Sequence, residues 1–210
     1  MVRVLPSGVL GGADCEQLRD SLIAQPVAAA SSVAYVVAGS LLAWTWRDLV
    51  AGERRLAVLY AGLLVLVGVG SIAYHGPQGP GAQALHDLPI VGLVVLALGV
   101  PLLRWLRGRR ALKPGVRRPV LVAGVAGALA VVAYATGHTA SPLCDPTSLA
   151  QGHALWHVAG AAALAAWGWA LWPGSAEALA GRTGRRRPAP SAHLAYARLR
   201  AGGGSPSRRP

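Results

Sequence analysis

The sequence predicts an all-α integral membrane bundle with about five transmembrane helices, its N-terminus outside the cytoplasm and its C-terminus inside. Apolar residues make up 53% of the 210-residue chain, and they are gathered into runs of about 20 residues, the length that crosses roughly 30 Å of hydrocarbon. A helix of that length satisfies its own backbone hydrogen bonds, which lipid cannot do. Between the runs lie polar stretches or stretches rich in Gly and Pro. The Lys and Arg residues fall almost entirely on one side of the resulting bundle.

The first apolar run extends from about Pro26 to Trp46 and the second from Leu56 to His75. His75-Gly76-Pro77-Gln78-Gly79-Pro80-Gly81 then forms a turn that no helix could continue through. The third run covers Ala82 to Trp105, the fourth Val120 to Thr136 and the fifth Gly152 to Trp172. Pro173-Gly174 ends the last one, and a tail rich in Arg, Gly, Pro and Ser follows. That composition cannot bury a core, so residues 173–210 are expected to be a largely disordered basic tail. Residues 1–25 form the N-terminal segment and 26–172 the bundle. Met1–Gly12 lacks the apolar core of a cleavable signal, so the first helix is expected to serve as its own insertion signal.

Orientation follows from the positive-inside bias. With the N-terminus outside, the inner loops and the tail hold 18 of the 20 Lys and Arg residues, leaving only Arg3 and Arg19 outside. Trp44, Trp46, Trp105, Trp167, Trp169 and Trp172 all fall near the inner ends, as an interfacial aromatic belt would require. The net charge of +12 is thereby explained as an inner anchor, with anionic lipid as its natural contact. Nucleic acid is not expected as a partner. The expected location is a bacterial plasma membrane.

Both cysteines, Cys15 and Cys144, fall on the outer side. An oxidising exterior permits a disulfide, which would clip the N-terminal segment to the loop before the fifth helix.

The polar residues near the outer helix ends carry the functional signal. Ionisable groups at such positions are costly and are functional candidates by default. Ser71 and His75 lie in the last turns of the second helix, His86 and Asp87 in the first turns of the third, and His153 and His157 in the first turns of the fifth. The i, i+4 spacing puts Ser71 with His75, and His153 with His157, on one helix face each. Two such His can bind one metal ion. A third His from a neighbouring helix would complete three ligands and leave an open position, which is the catalytic form of a zinc site. A lone HxxxH is more often packing or surface, and a lone SxxxH signifies almost nothing. Their arrival at one depth together with an Asp is what gives them weight. Spacing alone leaves His86 competing with its neighbours for a role. His138 reads as an interfacial, solvated His, and His193, in the tail, is given no role.

The ordered set Cys15-Glu16, Ser71-x-x-x-His75, Asp87 and His153-x-x-x-His157 resembles the alkaline ceramidase family, part of a larger group of membrane hydrolases that includes the adiponectin-type receptors. Ile23-Ala24-Gln25, leading to Ser31-Ser32, is similar to the family's entry to the first helix. The likeness runs from about Asp14 to Trp172. It implies zinc held by His75, His153 and His157, with Ser71 and Asp87 acting beside the activated water. It also implies a paired Cys15 and Cys144 and hydrolysis of the amide bond of a ceramide; the assigned topology puts that site on the extracytoplasmic side. The family has seven helices, so two between Asp87 and His153 are absent here. The family's calcium site is matched clearly only by Glu16, with Asp14 and Asp20 nearby, whereas Ala13 and Gln25 stand where acidic groups would be expected. Calcium is therefore doubtful as a cofactor.

The leading expectation is a zinc-dependent hydrolase of a lipid amide or ester. Asp87 would handle the proton, and Ser71 would hydrogen-bond the developing oxyanion or orient the water. The rival readings are a non-enzymatic zinc-bearing receptor or structural protein, and a bis-histidine haem protein using His75 and His157.

Overall fold

A computed structural model describes residues 10–113 and 115–173 of the chain. The tail expected to be disordered lies outside these residues. The described chain is helical: α1 (Pro26–Ser31), α2 (Val33–Trp46), α3 (Ala51–His75), α4 (Ala82–Leu106), α5 (Arg117–Thr136) and α6 (Gly152–Leu171). With α1 and α2 forming one span, five helices are long and apolar enough to cross a membrane. The helix ends sit within a few residues of the sequence-based bounds. The largest difference is at the start of α3, which begins at Ala51 and takes Glu53 and the Arg54-Arg55 pair into its first turns.

The break between α1 and α2 was not anticipated, and its cause is local. The Ser31 and Ser32 hydroxyls both donate to the Ala28 carbonyl, at 2.9 and 2.7 Å. Serines that bond back onto the preceding turn compete with the backbone ladder and bend helices. The Tyr35 amide accordingly bonds to the Ser32 carbonyl in a tighter, three-residue turn.

The helix α3 lies against both α2 and α4, while α5 packs along α6, and α6 returns to α2. The consecutive helices α4 and α5 share at most a marginal contact. Small residues bring the packed helices close, as they do where lipid offers no hydrophobic drive for association. A Cβ on Gly70 would fall 2.1 Å from the Leu85 carbonyl oxygen. That carbonyl is the one whose helical partner is removed by Pro89 four residues on, so α3 packs where α4 lacks a hydrogen bond.

At the arginine-rich end, Trp46, Tyr60 and Trp172 meet edge-on or tilted, with ring centroids 5.2–6.2 Å apart. Trp46 and Trp172 are therefore core residues rather than members of an interfacial belt, and Trp44 and Trp105 are the exposed ones. Gly168 makes the difference, since a side chain there would meet Trp46 and Tyr60 at 2.9 and 3.0 Å. Arg104 closes this end by donating to the Leu171 carbonyl at 2.9 Å.

At the other end, Cys15 and Cys144 form the expected disulfide, with Cα atoms 5.5 Å apart. Beside it, residues 13–15 run antiparallel to 137–139. The Cys15 amide donates to the Gly137 carbonyl and the Thr139 amide to that of Ala13. In the loop after Cys144, the Thr147 amide and hydroxyl hold the Asp145 carboxyl below the usual carboxylate range. The Gln151 amide ties the same loop to the Asp145 and Ser148 carbonyls just ahead of α6.

Two glycines of α3 test this packing. Gly70→Ala should lower thermal stability in detergent, by about 1–3 kcal/mol for an overpacked contact. Gly62→Ala, with nothing within 4 Å of the new methyl, should be neutral or stabilise by up to about 1 kcal/mol through helix propensity. Equal melting temperatures for the two variants would contradict the α3–α4 contact.

Candidate metal centre

His75 ends α3, and His153 and His157 lie one turn apart at the start of α6. All three are buried, and one ring nitrogen from each lies within 4.8 Å of the other two. The ring centroids are separated by 4.6–5.3 Å.

The hydrogen bonds decide which nitrogens face inward. His75 Nδ1 is 2.7 Å from Gln25 Oε1. The Gln25 amide orientation is set by its nitrogen, which donates to the Gly11 and Glu16 carbonyls, so the oxygen must accept from His75. His153 Nδ1 is 3.0 Å from Asp14 Oδ1, and a carboxylate only accepts. His157 Nδ1 lies 2.9 Å from the Ser31 hydroxyl and 3.2 Å from the Ala28 carbonyl. Because the Ser31 hydroxyl itself donates to Ala28, Nδ1 is assigned as the donor here too. All three Nδ1 atoms thus carry the proton, and all three Nε2 atoms present lone pairs. Those of His75 and His153 are buried with no hydrogen-bond partner, and that of His157 is 3.3 Å from Ser71 Oγ.

Neutral imidazoles, each held through Nδ1 by a carboxylate, amide, hydroxyl or carbonyl, are the usual form of metal-ligating His. Three converging Nε2 atoms fit zinc with one position left open. The donor set contains no thiolate, and its carboxylate, Asp14, sits behind the rings.

The sequence-based candidates separate here. His75, His153, His157 and Ser71 come together, with the Ser71 hydroxyl oxygen 2.8 Å from that of Ser32. Asp87 does not join them. It is exposed, and its carboxylate binds His86 Nδ1 at 2.7 Å. His86 stacks on Tyr74 at 4.7 Å and lies edge-on to His75. His138 sits in the antiparallel bridge opposite Asp14.

The supporting roles of Asp14 and Gln25 were missed. Asp14 adjoins Cys15 in a segment bridged to the loop before His153, and that is the signal that could have pointed to it. Glu16, the clear match to the family's calcium site, commits both carboxylate oxygens to the Val27 and Ala28 amides, each at 2.8 Å. It thereby caps α1, whose N-terminal amides would otherwise lack partners.

A cavity of about 520 Å³ adjoins the cluster. Ser71, His86, His153 and His157 line one end, and the walls beyond are mostly aliphatic.

Metal titration tests the centre. Purified protein stripped by chelator should take up one zinc or cobalt ion per chain, and His157→Ala should abolish stoichiometric uptake. Asp14→Ala should weaken affinity by about 10–100-fold, the usual effect of losing a partner behind a ligand. Wild-type affinity in Asp14→Ala would show that the carboxylate does not orient His153.

Comparison with protein-family models, curated proteins and solved structures finds no match to this chain, so the site's geometry and chemistry carry the functional reading.

Proposed function

We propose that this protein is a zinc-dependent membrane hydrolase that cleaves an amide or ester bond of a lipid, in the manner of the alkaline ceramidases its motifs resemble. The observation that carries this reading is the buried cluster of His75, His153 and His157, beside an otherwise apolar cavity that His153 and His157 line. His75, His153 and His157 would hold the ion. Zinc bound there would polarise the scissile carbonyl and acidify a water near neutral pH.

Ser71, buried beside His157, is placed to donate to the developing oxyanion. Ser32 supports it from behind. The proton-handling role expected for Asp87 belongs in this reading to the Asp87–His86 pair. His86 lines the cavity, and Asp87 holds its ring through Nδ1, so Asp87 acts as a positioning residue. The apolar walls favour an amphiphilic substrate and favour turnover over a purely structural ion. The haem alternative is poorly served, because ring centroids only 5.3 Å apart leave no space for a porphyrin between His75 and His157.

The positive-inside bias supports an orientation with the histidine end of the bundle outside the cytoplasm. The ion and the substrate would then both be reached from the extracytoplasmic side.

Two measurements test the reading. Purified protein in lipid nanodiscs should hydrolyse members of a panel of lipid amides and esters, lose activity to chelator and recover it with zinc. Ser71→Ala should keep its zinc and lose about 10²-fold or more in kcat, as when one oxyanion donor is removed. Stoichiometric zinc with no turnover anywhere in the panel would leave a non-enzymatic zinc protein instead. For orientation, periplasmic and cytoplasmic reporters fused at Gly12 and Gly202 should report opposite sides, Gly12 outside. A cytoplasmic Gly12 would reverse the assignment.

A further inference from the structure

We propose that the acyl chain of the substrate enters sideways, from the bilayer, through the seam between α4 and α5, and that Gly127 and Ala163 set the length of chain that fits. This rests on the hydrolase reading for the nature of the ligand.

The seam is a consequence of how the helices pair. The helix α4 lies on α3, and α5 lies on α6, while α4 and α5 do not close on each other. Ile90 and Val94 line the cavity from α4, and Ala130 and Val131 from α5. Both helices are bilayer-spanning in length and apolarity, and they are the least buried of the five, with 22% and 11% of their most apolar windows covered by protein. Val94 and Val131, which line the cavity from the two helices, are themselves exposed on the outside of the bundle. A side opening framed by aliphatic residues at that depth meets lipid tails rather than water. An amphiphile could therefore pass from bilayer to cavity without moving its chain through water.

The polar end selects the orientation. The Tyr35 hydroxyl lies against Gly160, where a Cβ would come within 2.5 Å of it. Tyr35 lines the cavity, is 4% exposed, and presents its ring edge-on to His157 at 6.0 Å. Its hydroxyl makes no hydrogen bond among the described residues. The hydroxyl is not among the sealed, unpartnered buried groups and belongs to a cavity-lining residue, so the carbonyl of an amide or ester seated below the histidines would accept from it. The chain would then run away from the cluster along α6. From His153 to Leu164 this gives about 16 Å of helix rise at roughly 1.5 Å per residue.

At the far end Gly127 and Ala163 face each other. A Cβ on Gly127 would meet that of Ala163 at 3.9 Å, an ordinary contact. A methyl is accepted there; both residues line the cavity, so the bulk of a leucine at either position would narrow the space open to the chain.

Photo-crosslinking tests this without requiring turnover. The full-length zinc-loaded protein in phosphatidylcholine nanodiscs is irradiated with lipid amides carrying a diazirine along acyl chains of graded length, and labelled peptides are mapped. Labelling should concentrate on residues 90–94, 127–134 and 156–164. Gly127→Leu and Ala163→Leu should reduce labelling by the longest chain about tenfold and spare the shortest. Ala128→Leu, on the exposed face of α5, should change nothing, and zinc content reports that each variant is folded.

Labelling spread evenly over the lipid-facing helices, or unchanged by both leucine variants, would overturn the proposal. So would crosslinking of Val94→Cys to Val131→Cys between two copies, which would show a second copy seated in the seam. Seam labelling with no hydrolysis of any lipid supports the chain seat while removing the hydrolase reading. Hydrolysis with no seam labelling does the reverse.

Discussion

Burying an imidazole nitrogen with no protein partner costs about 1–3 kcal/mol, and the histidine end of this bundle does so at His75 and His153. Inside a membrane bundle no bulk water relieves that cost. Much of the local structure serves to hold these rings in the one orientation that presents Nε2 inward. The Nδ1 atoms are all engaged, by Gln25, Asp14 and Ser31, so rotation of any ring would break a hydrogen bond as well as move a lone pair.

Two of those three partners come from outside the spanning helices. Asp14 lies in the N-terminal segment and Gln25 just before α1. A segment of this kind has little apolar surface with which to hold itself down. It is held by covalent and backbone means: the Cys15–Cys144 bridge, the short antiparallel pairing with residues 137–139, and the Glu16 carboxylate on the first amides of α1. The disulfide closes a loop that contains nearly every helix. It thus ties the carboxylate behind His153 to the loop that leads into His153.

The interior of the bundle shows the same economy of small groups. Gly70 admits the Leu85 carbonyl freed by Pro89, Gly168 admits Trp46 and Tyr60, and Gly160 admits the Tyr35 hydroxyl. Close approach at these points is what lets α2, α3 and α6 converge beneath the histidines. Where α4 and α5 lack such pairing, the bundle opens into the cavity.

The number and rough bounds of the spanning helices were legible in the sequence, because a membrane imposes a length and an apolarity on any helix that crosses it. The histidine cluster was legible for a related reason: an i, i+4 pair on one helix needs only a known helical period, and the resemblance singled out His75 as the third member. The cysteine pairing was legible because the chain offers only two, on one side. Other features depended on tertiary placement. The core position of Trp46 and Trp172 depends on Gly168 of another helix, and the turn of Asp87 toward His86 depends on rotation of the first turns of α4. The support of His75 and His153 by Gln25 and Asp14 depends on where a non-helical segment folds back. No local periodicity encodes such contacts. They arise between residues distant in sequence, where the geometry of packed helices and a disulfide decides which polar groups meet.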